Sequence, residues 1–122
     1  MGYSIQDLLN IQGTDHICKI QMKRKLEIEK KYLIHQISFD LKLFKSKLFK
    51  DSSQIWKLYL NDFPYDIPEK MKHIVLWFNT SDRNMLLSKK IIESYFPDNV
   101  IWFANTPELM SINQLFHIHI FI

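Results

Sequence analysis

The feature that most constrains this chain is a change of hydrophobic period at Ser53. Upstream of it, apolar residues recur every three or four positions, the spacing that lines one face of a helix. Downstream they form short runs and alternations separated by turn residues, the pattern of strands. A chain that does both within 122 residues is expected to form one α+β domain rather than two domains. At 47% hydrophobic and 14% aromatic, it has the material for a real core.

In the first third, Thr14 or Asp15 reads as a helix N-cap, because a short polar side chain can accept a free amide of the first turn. Ile17, Ile20, Arg24 and Ile28 then fall at helical spacing, with Lys23, Lys25, Glu27, Glu29 and Lys31 largely elsewhere. A second helix is expected from Ile37 to Phe49, where Ile37, Leu41, Phe44 and Leu48 form the stripe and Lys42, Lys45 and Lys47 lie off it. A bend near Leu33 to Ser38 separates the two. Residues 1–52 are thus expected as a helical segment packed on the same domain, and 53–122 as the sheet portion.

In that portion Ile55 to Leu60 reads as a strand, and Asn61 to Pro68 as a loop. His73-Ile74-Val75-Leu76-Trp77-Phe78 reads as a buried central strand. A capping turn at Asn79 to Asp82 leads to a helix from Asn84 to Phe96, ended by Pro97. Val100 to Phe103 and Leu115 to Phe121 are further strands, joined by a loop from Asn105 to Asn113. The expectation is two or three helices on a mostly antiparallel sheet of four or five strands.

Charge and composition remove several classes. A net charge of +3, from 16 basic and 13 acidic residues, is too small to argue for nucleic acid by itself. No apolar run approaches the roughly 20 residues of a membrane helix. Met1 to Gln12 lacks the charged-then-apolar order of a secretory signal. Cys18 is alone and reads as a small buried hydrophobe in a reducing compartment, so an intracellular location, cytoplasm or nucleus, is expected. Gly2 and Gly13 are the only glycines, which excludes Gly-rich phosphate loops, and no cofactor is expected.

The chemistry concentrates at His117-Ile118-His119. Residues i and i+2 of a strand share a face, so the two imidazoles stand together, with Phe116, Ile118 and Ile120 on the other side. His73 begins another strand and can approach them. Three readings follow. The histidines are structural; or one is a nucleophile or general acid/base on a phosphate-containing substrate, since imidazole titrates near neutrality; or His117, His119 and a carboxylate such as Asp62 hold a metal.

Four blocks carry a resemblance: Asn61-Asp62-Phe63-Pro64-Tyr65, His73 to Trp77, Ile101-Trp102-Phe103-Ala104-Asn105, and Ser111 followed by His117-Ile118-His119. In order and spacing, over about Trp56 to Ile120, they resemble a fungal and protist family of unknown function that includes the N-acetylglucosamine-induced protein. Ala104 and Phe116 depart from its usual Lys and Glu. More distantly, the same order resembles the histidine-triad and galactose-1-phosphate uridylyltransferase superfamily. That resemblance implies a histidine-triad-like fold and a nucleotide or nucleotide-sugar ligand, with phosphohydrolase or nucleotidyl-transfer chemistry. It implies His119 as nucleophile, His117 as its support, and Asn105 and Ser111 as groups positioning phosphate oxygens. Phe121 stands where the third polar residue of the triad is expected, which weakens stabilisation of transition-state charge.

Around this strand, Asp62 reads as an Asx-turn residue or a general base. Tyr65 reads as exposed and able to stack on a base or sugar. Trp56, Trp77 and Trp102 read as core. The expected pocket is lined by His117, His119, Asn105 and Asp62, with Tyr65, His73 and Ser111 as further ligand-binding residues. Two alternatives stay open. One is a non-enzymatic module meeting protein or RNA through Lys42, Lys45 and Lys47; the other is a metal-dependent hydrolase.

Overall fold

The computed structural model describes residues 2–51, 53–110 and 112–122. In chain order the elements are α1 (Ile5–Gln12), β1 (Ile17–Cys18), α2 (Leu26–Ile37), α3 (Leu41–Leu48), β2 (Trp56–Leu60), β3 (His73–Phe78), α4 (Met85–Tyr95), β4 (Ile101–Asn105) and β5 (His117–Phe121), with a 3-10 turn at Pro107–Leu109. The five strands form one sheet in the order β1-β4-β5-β3-β2. β2, β3, β5 and β4 pair antiparallel, while β1 joins β4 in parallel. The fold is therefore α+β with a mixed sheet and, among the described residues, four α-helices rather than two or three.

Side-chain caps explain the starts of α1, α3 and α4. Ser4 and Asp7 form a reciprocal capping box on α1, and Gly13 at φ 53° ends it in a conformation that favours glycine. Asp40 accepts the Leu43 amide to start α3, and Asn84 accepts the Leu87 amide to start α4.

The first expected helix is wrong. Asp15 caps no helix; its carboxylate accepts the Ile17 amide two residues on, a turn. His16, at φ 55°, then sends Ile17 and Cys18 alongside Ala104 and Asn105 of β4. The Ile17, Ile20, Arg24, Ile28 spacing thus spans a short strand, an irregular stretch and the first turn of α2. The bend expected near Leu33 to Ser38 falls at the end of that range: α2 runs through to Ile37, and the break is at Ser38 and Phe39.

Strand alternation divides the core into two faces. On one, Leu76, Phe78, Trp102, Ala104, Phe116, Ile118 and Ile120 pack under Ile91 and Ile92 of α4. Burying each aliphatic side chain there stabilises the fold by about 1.5–3 kcal/mol. On the other, Ile101, Phe103 and Phe121 meet Leu8 of α1, and Val75 and Trp77 meet Leu48 and Phe49 at the end of α3. This second face also carries His73, His117 and His119, which places them between α1 and α3, beneath α2.

Candidate functional site

β5 lies between β3 and β4, so its side chains face neighbours on both sides. Its register sets Trp77 opposite His117, Val75 opposite His119 and His73 opposite Phe121. His73 and His119 are then diagonal neighbours, close enough for two ring nitrogens to meet at 2.8 Å. The third imidazole near the β5 pair thus comes from the adjacent strand. Phe121 stacks on it at 4.6 Å between centroids.

One backbone group sets the proton positions along this chain. The Tyr65 N–H, which can only donate, reaches His73 Nδ1 at 3.1 Å. His73 therefore carries its proton on Nε2 and donates it to His119 Nδ1. A neutral His119 then bears its proton on Nε2, which faces the Tyr65 hydroxyl at 3.4 Å and the Asn105 amide at 3.3 Å. The Asn105 amide also meets the Tyr65 hydroxyl at 3.1 Å. A donor at His119 Nε2 calls for the amide oxygen on that side, an orientation set by the network. Whichever way the amide is turned, its other end lacks a partner.

His117 is set differently. Its Nδ1–H donates to the Leu115 carbonyl at 3.0 Å, which leaves Nε2 as a lone pair with no protein partner among the described residues. The ring packs against Trp77 at 4.3 Å. Both nitrogens of His119 are engaged, and one of His117 is free.

Burial keeps these rings neutral. It pushes His73 down to about 3, with the Arg24 and His117 charges adding to the effect. It pushes His117 down to about 4 against the opposing Leu115 hydrogen bond, and holds His119 well below its ordinary range. Burial also pushes the Tyr65 phenol up to about 12.

Two clefts open over the pair. The first, of about 380 Å³, lies between α2, α3 and the Asn61–Phe63 loop; Phe39, Phe44, Phe63 and Trp77 give it aromatic walls. The second, of about 310 Å³, lies toward Asn105 and Glu108. Arg24, Tyr32, His117 and His119 line both.

The structure brings His117, His119, His73, Tyr65 and Asn105 together. It corrects Tyr65, which is 6% exposed and a partner of the histidines rather than an outward platform. The turn role expected of Asp62 belongs to Asn61, whose Oδ1 accepts the Phe63 amide at 2.8 Å. Asp62 is exposed at the rim of the first cleft. Ser111 lies outside the described residues. Among the described residues no three His, Cys, Asp or Glu side chains are placed to hold a metal ion.

Sequence reasoning passed over Arg24. Its Nε donates to the Phe63 carbonyl at 2.7 Å, and its guanidinium lies over Tyr32 at 3.9 Å and Tyr65 at 5.0 Å. The signal was present, since a cation sat on an otherwise apolar stripe.

The family model described as "Protein of unknown function (DUF3605)" matches residues 12–84 and 81–122. The chain belongs to this family. Its relatives include N-acetylglucosamine-induced protein 1 of Candida albicans, 29% identical, with 62% of this chain and 37% of that protein covered. An uncharacterized protein of Saccharomyces cerevisiae is 27% identical, with 58% and 45% covered. The chain therefore spans less than half the length of either relative. A solved structure titled "Crystal Structure of HTC1" shares the fold at a TM-score of 0.66 and 21% identity, over 99% of this chain and 85% of that one. The family match rests on nearly the whole domain, whereas the histidine-triad resemblance rests on the motif blocks alone. No helix among the described residues is long and apolar enough to cross a membrane.

Proposed function

We propose that this domain binds a nucleotide or nucleotide sugar in the cleft above His117 and His119, in the manner of histidine-triad proteins. The observation that carries the reading is the pair itself. Two adjacent imidazoles line two clefts that Arg24 also lines, and His117 Nε2 has no protein partner among the described residues. A cleft of about 380 Å³ falls in the range of small-ligand sites, about 300–1,000 Å³. Its aromatic walls suit a base, and Arg24 and Lys47 suit phosphate oxygens.

The free nitrogen exchanges the roles implied by the superfamily. Phosphorus chemistry at this site uses His117 Nε2 as the nucleophile, unprotonated at neutral pH, with His119 as its neighbour. With Phe121 in the third position, turnover is slow or absent and binding is the retained property.

Thermal shift and calorimetry with a panel of nucleotides and nucleotide sugars test this. A ligand at one hundred times its Kd stabilises the fold by about 2.7 kcal/mol. His117→Ala is expected to weaken binding about tenfold or more. If no member of the panel shifts the melting temperature, the reading is dropped.

One observation favours a second reading. Leu26, Leu33, Ile34 and Ile37 of α2 are 51–87% exposed, next in sequence to exposed Lys42, Lys45 and Lys47. A protein-interaction module would use this surface. Partner capture lost on charge reversal at Lys42 and Lys45, yet indifferent to His117→Ala, identifies it.

A further inference from the structure

The two clefts that share His117 and His119 differ in chemistry. The first is walled by aromatic rings. The second is walled by amides and carboxylates: Gln21, Gln36, Asn105, Glu29 and Glu108. We infer that the second cleft seats an uncharged, hydroxyl-rich group, a sugar ring, so that the ligand of this domain is capped by a sugar rather than ending in a free phosphate. The inference rests on the ligand class proposed above and selects within it.

Three observations support it. Amides both donate and accept, and carboxylates accept, which is the set that hydroxyl groups need. Glu108 makes no ion pair among the described residues and would repel a terminal phosphate. Among the described residues Arg24 is the only Lys or Arg lining this cleft, and it stands on the wall shared with the first cleft, its Nε held by the Phe63 carbonyl and its face on Tyr32. A terminal phosphate away from that wall would meet the Glu108 carboxylate.

The third observation is Asn105. Its side chain lines the second cleft, is 6% exposed and has one amide end with no partner among the described residues. Buried polar groups are nearly always paired. A sugar hydroxyl, which both donates and accepts, is a fitting partner for whichever end of that amide is free. Because the histidines and Arg24 lie on the wall common to both clefts, a phosphate placed there leaves base and sugar on opposite sides.

Calorimetry separates the options. For each of the four common bases, the diphosphate, the triphosphate and the glucose ester of the diphosphate are titrated into the whole chain. For the base that binds, the glucose ester is expected to bind about tenfold or more tightly than the triphosphate. Gln36→Ala, at an exposed position, should lower the ester's affinity and leave the diphosphate unchanged. Glu108→Gln keeps hydrogen bonding and removes the charge, so triphosphate affinity should rise several-fold. Triphosphate binding equal to or tighter than the ester overturns the sugar assignment and leaves the nucleotide site standing. No binding by any compound overturns both.

Discussion

His117 and His119 differ by two positions on one strand and share its face, yet carry their protons on different nitrogens. The Leu115 carbonyl takes the Nδ1 proton of His117, and His73 supplies a proton to Nδ1 of His119. One ring is therefore an acceptor at Nε2 and the other a donor. Such an assignment has a cost below neutrality. The folded pKa values of His73 and His117, about 3 and about 4, lie below the 6.5 of the unfolded chain, and His119 moves the same way. The unfolded state thus binds more protons as pH falls, and stability drops. It is fully present above about pH 6.5 and is lost toward pH 4, by about 1.4 kcal/mol per pH unit for each such histidine. Urea unfolding at pH 7, 6 and 5 should show this slope, and His117→Gln should flatten it; equal stability at pH 7 and 5 would contradict the protonation scheme. Tyr65→Phe should cost about 1–3 kcal/mol, because the Asn105 amide then loses its hydroxyl partner. The shared face of the two histidines was legible from strand periodicity. The burial of Tyr65 was not, because its partners come from β4 and β5, and no local pattern records a contact between residues 65, 105 and 119.

At the scale of elements, the strands and α4 were readable because each buries a regular pattern: β3 begins and ends where its apolar run does. α1 and β1 were not. β1 is two residues long, and its pairing with β4 is held from a distance: the Gln12 side chain accepts the Trp102 amide, and His16 stacks on Trp102 at 3.9 Å. A two-residue strand leaves no period to detect. α2 is the opposite case. Its twelve residues are helical, yet none is buried. Tyr32 meets Phe63 edge-on at 5.5 Å and His35 meets it at a tilt at 4.9 Å, and these contacts hold it. Amide exchange should therefore be fast along α2 and slow in β3 and β5, where both strand edges are paired. Uniform protection across the three would show that α2 is anchored more firmly than its contacts indicate. Ile118→Ala, on the α4 side, should cost about 2–5 kcal/mol in the same denaturant assay, since the site leaves no room for collapse around a fully buried side chain.

For the whole molecule, the decisive fact is that the last strand in chain order sits in the middle of the sheet. β5 joins β3 on one side and β4 on the other and brings two of the three site histidines with it. Removing residues 116–122 should abolish cooperative unfolding altogether rather than lower the midpoint, and circular dichroism with a denaturant titration would show it; a retained sigmoidal transition would mean that the rest of the domain folds alone. The same position has a meaning during synthesis. A ribosome makes β3 and β4 well before β5, and until that segment emerges the two exposed strands present bare hydrogen-bonding edges to the cell. The gathering of the histidines and the closure of the sheet are consequently one event. Until then His73 stands without its neighbours from β5, and the nascent chain depends on whatever shields its open strands.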